Sequence, residues 1–280
     1  MPMNRLQRKF EVLAKSGRKA LVPFITAGDP SLEATVPVMH ALVAAGADAI
    51  ELGVPFSDPM ADGPVIQRSS ERAIARGAGL RWVLAQVQAF RERDATTPVV
   101  LMGYLNPVEI LGAGAFARAA AEAGVDGALL VDLPPEEAGP TRAALNAEGL
   151  ALVALAAPTT APARLQRLAR EAQGYLYYVS LAGVTGAGHL DPGEVRRRAG
   201  ELAQRAVVPV LVGFGIRDAA TAAALAVAAD GVVVGSALVQ AMAGAGGAVE
   251  AARRAGEFLA PLRAALDGAA RATPAGPRSG

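Results

Sequence analysis

Three carboxylates stand close together in the stretch Glu51–Pro64, ELGVPFSDPMADGP: Glu51, Asp58 and Asp62. Glu51 closes an apolar run, Ala47-Asp48-Ala49-Ile50, with the pattern of a buried strand. A carboxylate is costly to bury at such a place, so it is kept for pairing or for function. Asp58 and Asp62 follow in a loop held by Pro55, Pro59, Gly63 and Pro64. Acids arranged this way can move protons on one substrate. The i, i+4 spacing of Asp58 and Asp62 would also admit a divalent cation, but no third ligand lies nearby in sequence, and no metal is assigned.

The composition removes several classes of function. Formal net charge is +1 at pH 7 over 280 residues, so no electrostatic footprint points to nucleic acid or an anionic membrane. There is no cysteine, which excludes disulfides, thiolate metal sites and cysteine nucleophiles. The N-terminal stretch is amphipathic without an apolar signal core, and apolar runs are short. A soluble cytoplasmic chain is expected.

The elements that must position the acids follow a repeat. Eight apolar runs, each ending in Gly, Pro or a polar residue, alternate with Ala/Leu/Arg/Glu-rich stretches of helical period. The runs span 20–26, 47–53, 98–103, 127–132, 150–156, 175–180, 208–213 and 231–235. Continuous apolar strands alternating with helices predict a parallel sheet covered by helices. Eight units predict a (β/α)₈ TIM barrel; the rival is a doubly wound open sheet. Residues 3–15 predict an extra N-terminal helix that could cover the barrel bottom. Residues 1–271 are expected to form a single domain. The tail after it, 272–280, lacks apolar anchors and is expected to be disordered. Asp29-Pro30-Ser31 is expected to cap a helix that stops at Gly46.

In such a barrel, chemistry belongs at the C-terminal ends of strands. Polar residues gather there: Thr26 and Asp29, Glu51 with its loop acids, Tyr104 and Asn106, Asp132, and Tyr177, Tyr178 and Ser180. The glycine-rich segment LAGVTGAGHLDP reads as a lid. GFGI (Gly213–Ile216) and GSAL (Gly235–Leu238) follow the last two strands, where this fold recurrently binds phosphate. The only lysines are Lys9, Lys15 and Lys19, before or at the entry of the first strand. A Schiff-base aldolase would need one at the opposite mouth, so carbon–carbon cleavage here would have to be acid–base chemistry. His40 and His189 are expected to be packing or surface residues.

Five segments, PFITAGDP (Pro23–Pro30), ELGVPFSDPMADGPVIQ (Glu51–Gln67), GVTGA (Gly183–Ala187), GFGI and GSA, closely resemble the tryptophan synthase α-subunit family, in order across residues 3–268. The resemblance implies a (β/α)₈ lyase that splits indole-3-glycerol phosphate into indole and glyceraldehyde 3-phosphate. It implies no cofactor in this subunit. It also implies a pyridoxal-phosphate β subunit as partner in an α₂β₂ assembly, with indole passing between the sites.

Carried over residue by residue, the resemblance makes Glu51 and Asp62 catalytic. It assigns Phe24, Tyr104, Leu129 and Tyr177, with Val131 and Val233, to the indole pocket. Gly186, Gly213, Phe214, Gly215, Gly235 and Ser236 fall to the phosphate, and Thr185 is the lid threonine that closes on Asp62. Ser57, Asp58 and Pro59, with Asn106 and Pro107, face the partner, which makes Asp58 a communication element. Met102, Gly103 and Gly188 depart from residues common in the family. Two other readings compete: another phosphate-binding barrel such as a pathway isomerase, and a weakly catalytic module that mainly activates the β subunit.

Overall fold

The computed structural model describes residues 4–179, 192–213 and 215–272. Nine parallel strands form one sheet: β1 (Ala20–Thr26), β2 (Ile50–Gly53), β3 (Val99–Gly103), β4 (Gly127–Leu130), β5 (Ala151–Leu152), β6 (Ala154–Ala156), β7 (Leu176–Val179), β8 (Val210–Gly213) and β9 (Gly231–Val234). Their order is β5-β4-β3-β2-β1-β9-β8-β7-β6. The two outermost strands are consecutive in the chain, so the sheet curls into a nearly closed α/β barrel.

Eight runs become nine strands because the fifth run changes neighbours at Val153. Ala151 and Leu152 pair with Gly127 and Ala128, whereas Ala154–Ala156 pair with Leu176–Tyr178. Val153 still donates its N–H to the Ala128 carbonyl at 2.8 Å. A tilted strand reaches one neighbour with its start and the other with its end.

Twelve helices surround the strands: α1 (Arg5–Ser16), α2 (Thr35–Ala44), α3 (Pro64–Ala75), α4 (Leu80–Arg91), α5 (Leu105–Leu111), α6 (Ala113–Ala123), α7 (Gly139–Ala147), α8 (Pro162–Glu171), α9 (Pro192–Ala203), α10 (Ala219–Ala226), α11 (Ser236–Met242) and α12 (Ala248–Ala272), among the described residues. The sequence expectation of a cap at Asp29-Pro30-Ser31 is corrected. A 3₁₀ turn (Leu32–Ala34) precedes α2, and the Ser31 side chain makes no capping bond. Asp29 instead takes a bidentate pair from Arg72, at 2.7 and 2.9 Å. That stronger, charge-assisted partner leaves no cap to offer.

Strand parity divides the core in two. Leu21, Ile25, Ile50, Leu52, Leu101, Val212 and Val232 face outward and pack under the helices. Ala20, Val22, Ala49, Val100, Leu129, Leu211 and Val233 fill the barrel interior. Helix α1 joins this inner layer. Its Leu6, Phe10 and Leu13, at helical spacing, are buried in it, so the predicted N-terminal helix does close the bottom. A capping box between Asn4 and Gln7 starts the helix and Gly17, at φ 64°, ends it.

Three aspartates, Asp48 and Asp126 buried and Asp230 half-buried, stitch the same end. Asp48, Asp126 and Asp230 each follow a helix and accept the N–H of a neighbouring strand: Leu21 at 3.0 Å, Val99 at 2.9 Å and Val210 at 2.8 Å. Asp48 also pairs with Arg263 and Arg18, and Asp126 with Arg5 and Arg91. These carboxylates are structural, at the face opposite the strand ends that carry Glu51 and Asp62.

Candidate active site

Glu51 is the inward residue of β2. Its register partners are Phe24 on β1 and Val100 on β3, and Val100 belongs to the barrel interior. The side chain is fully buried. One carboxyl oxygen, Oε1, accepts a hydrogen bond from the Tyr175 hydroxyl. The other, Oε2, has no partner among the described residues. Burial pushes the Glu51 carboxyl up to about 7, against the smaller opposing effect of the Tyr175 bond. Near neutral pH this group therefore exchanges a proton readily.

Asp62 sits in the loop between β2 and α3, and burial raises its carboxyl above the ordinary range. Tyr104, at the end of β3, donates its hydroxyl to Asp62 Oδ2 at 3.0 Å and accepts the Ala61 N–H at 3.0 Å. Its ring stacks on Phe56, with centroids 4.9 Å apart. Gln67, on the first turn of α3, donates to the Asp62 carbonyl at 2.9 Å and the Pro59 carbonyl at 3.3 Å. Thr26 and Ser69, whose hydroxyls are 2.6 Å apart, and the Asp29–Arg72 pair tie α3 to the end of β1. The loop bearing Asp62 is thus fixed from both sides.

Phe24, Asp62, Tyr104, Met102 and Val131 line one cavity with Gly53 and Val54 at the strand ends. Phe24 lies close over two glycines: a Cβ added at Gly53 would come within 2.6 Å of its ring, and one at Gly235 within 3.5 Å. Tyr177 projects inward from β7. Its hydroxyl is held far above its ordinary range, chiefly by burial and then by the charges of Glu51 and Asp62. Leu129 and Val233 lie in the interior layer and do not line this cavity.

The glycine side of the mouth is equally specific. Gly213 ends β8, where a Cβ would fall 2.0 Å from the Tyr177 hydroxyl. Gly215 has φ +50°, a left-handed conformation. Gly235 precedes α11, a short helix between β9 and α12, and Ser236 is its exposed first residue. Thr185, Gly186, His189 and Phe214 lie outside the described residues.

Ser57 and Asp58 are exposed and bonded to each other at 2.6 Å, and Pro59 is half-buried. Asn106 is exposed and Pro107 half-buried on α5. Between and beside them stand Met60, 83% exposed, and Ile110, 80% exposed. Asp132 donates no chemistry to the cavity; it accepts the Leu105 N–H at 2.8 Å at the start of α5. His40 packs on Phe90 in the helix layer, ring centroids 4.8 Å apart.

Sequence reasoning missed Tyr175, Gln67 and Arg72. Parity carries a signal for the first: Tyr175 and Tyr177 share a face, and Tyr178 points outward into the helix layer.

An α/β barrel with one buried and one half-buried acid and a glycine-lined rim at one mouth defines a barrel enzyme of proton-transfer chemistry. The family described as tryptophan synthase alpha chain matches residues 10–266. The tryptophan synthase alpha chain of Xanthomonas euvesicatoria pv. vesicatoria is 69% identical, across 95% of this chain and 99% of the relative. The solved alpha subunit of Legionella pneumophila superposes with a TM-score of 0.88 at 46% identity, covering 95% of this chain and 99% of that one. A tryptophan synthase structure from M. tuberculosis gives 0.83 at 37% identity, covering 94% and 99%. The chain belongs to the tryptophan synthase alpha chain family, lyases of tryptophan synthesis.

Proposed function

We propose that the chain cleaves indole-3-glycerol phosphate to indole and glyceraldehyde 3-phosphate by an acid–base retro-aldol reaction. The observation that carries this reading is the acid pair, Glu51 buried and Asp62 half-buried, each held by a tyrosine hydroxyl, at the mouth of a family barrel. Protonated Glu51 gives its proton to indole C3, leaving a positively charged ring. The Asp62 carboxylate accepts the ring N–H and stabilises that charge. The Glu51 carboxylate then takes the 3′-hydroxyl proton. The C3–C3′ bond breaks, its electron pair returns to the ring, and the former hydroxyl carbon becomes the aldehyde.

The aromatic and apolar lining of Phe24, Tyr104, Met102 and Val131 supports an indole ring beside Asp62. Gly213, Gly215, Gly235 and Ser236, with Phe214 and Gly186, bind the phosphate in this reading, where glycines allow close backbone approach. Tyr177, Leu129 and Val233 complete the pocket, and Thr185 closes over Asp62. No cofactor takes part in this subunit.

The proposed partner is the pyridoxal-phosphate β subunit, in a cytoplasmic α₂β₂ tetramer that passes indole onward. The exposed Met60 and Ile110 beside Ser57–Pro59 and Asn106–Pro107 support an apolar docking patch there. The test is indole release from indole-3-glycerol phosphate, with and without the β subunit. Release by the isolated chain, raised by the partner, is expected; no release in either condition would end the reading.

A further inference from the structure

The Glu51 carboxyl has two oxygens in unlike surroundings, and the difference is made from below. Tyr175 lies just before β7, fully buried, and its hydroxyl bonds to Glu51 Oε1 across 124 residues of sequence. A phenol has one proton to donate, and Glu51 is its hydrogen-bonding partner among the described residues. If that proton goes to Oε1, the proton of neutral Glu51 resides on Oε2. Oε2 is the oxygen with no protein partner among the described residues.

Tyr175 is in turn seated by the N-terminal helix. The Phe10 ring packs on it with centroids 5.6 Å apart at 48°. Leu6 fills the space beside Gly174, where a Cβ would come within 2.5 Å of its side chain. Gly174 itself has φ 69°, so the approach to Tyr175 is fixed by backbone and helix together. Phe10, Leu6 and Tyr175 belong to one buried layer.

We propose that Tyr175 is a positioning residue for Glu51, confining its transferable proton to Oε2, and that α1 holds Tyr175 in place through Phe10 and Leu6. The proposal rests on Glu51 being the acid of the reaction above. It gives the barrel plug a part in catalysis beyond closing the core. Among the described residues, the titratable groups facing Glu51 are Tyr175 and Tyr177 of the β7 segment. Its register partners Phe24 and Val100 carry no charge. Removing the Tyr175 hydroxyl therefore leaves burial unopposed and moves the Glu51 titration to higher pH.

The experiment uses the full chain with indole-3-glycerol phosphate, measuring kcat and KM from about pH 5 to about pH 9. Tyr175→Phe is expected to lower kcat about ten- to a hundred-fold, with KM nearly unchanged and the Glu51-dependent limb displaced upward. Phe10→Leu, which keeps the hydroxyl, is expected to lower kcat by a smaller factor in the same direction. A folded Tyr175→Phe protein with native kcat and an unmoved limb would overturn the proposal. If Tyr175→Phe does not fold, native kcat in Phe10→Leu overturns it and a loss of kcat at constant KM supports it. Wild-type chain without indole release, or Glu51→Gln with near-native turnover, would instead remove the underlying reading.

Discussion

Asp48 and Glu51, three residues apart on the approach to β2 and along it, are both buried, yet only one is surrounded by donors. Asp48 accepts the Leu21 N–H and faces Arg263 and Arg18, whereas Glu51 has, among the described residues, the Tyr175 hydroxyl alone. The first arrangement sets an N–H and two guanidiniums against the cost of burial, which still raises the Asp48 carboxyl above its ordinary range. The second leaves a carboxyl that can change its charge, which is what proton transfer requires.

The contrast predicts opposite stability effects. Glu51 titrates at about 7 in the folded chain against an ordinary 4.5. The folded state holds its proton more tightly, so stability is lost as pH rises from about 4.5 to about 7 and stays lower above. The loss amounts to about 3 kcal/mol. Glu51→Gln removes it, so denaturant melts should show the variant more stable than wild type above pH 7. The difference should vanish near pH 4.5.

Asp48→Ala should do the reverse. Arg263 would be left buried with only the more exposed Asp267 as its ion pair, at a cost of up to about 3–5 kcal/mol. Turnover per folded molecule should stay native, as measured by kcat below the melting range.

Tyr104→Phe removes both the Asp62 contact and the acceptor of the Ala61 N–H. A stability loss of about 1–3 kcal/mol and a fall in kcat of about ten-fold are expected. Chemical denaturation and indole release measure the two separately.

Gly213→Ala places a methyl group against the Tyr177 ring. The ring must turn or β8 must move, and either disturbs the proposed phosphate rim. Binding of glycerol 3-phosphate, followed by calorimetry, should weaken about ten-fold, an effect of about 1.4 kcal/mol.

Much of this was legible in the sequence because a parallel strand is buried on both faces. Each such strand wrote itself as a mainly apolar run, and Glu51 stood out as a glutamate near the C-terminal end of one. The split of the fifth run was not legible, since Ala151–Ala156 reads as one strand whichever neighbour each half meets. Nor was the partner of Glu51: Tyr175 lies 124 residues away, and Tyr104 lies 42 from Asp62. Such pairings exist only once the barrel brings adjacent and facing strands together. Asp48 looked like part of an apolar run, and only Arg263 and Arg18, distant in sequence, reveal why it is tolerated.

The central claim is that Glu51 moves the protons of carbon–carbon cleavage. It is tested most directly by the kcat of indole release from indole-3-glycerol phosphate in Glu51→Gln, measured beside wild type with the fold verified by circular dichroism. Turnover should fall by a factor of at least about 100 while the variant stays folded. Near-native turnover in the folded variant would contradict it.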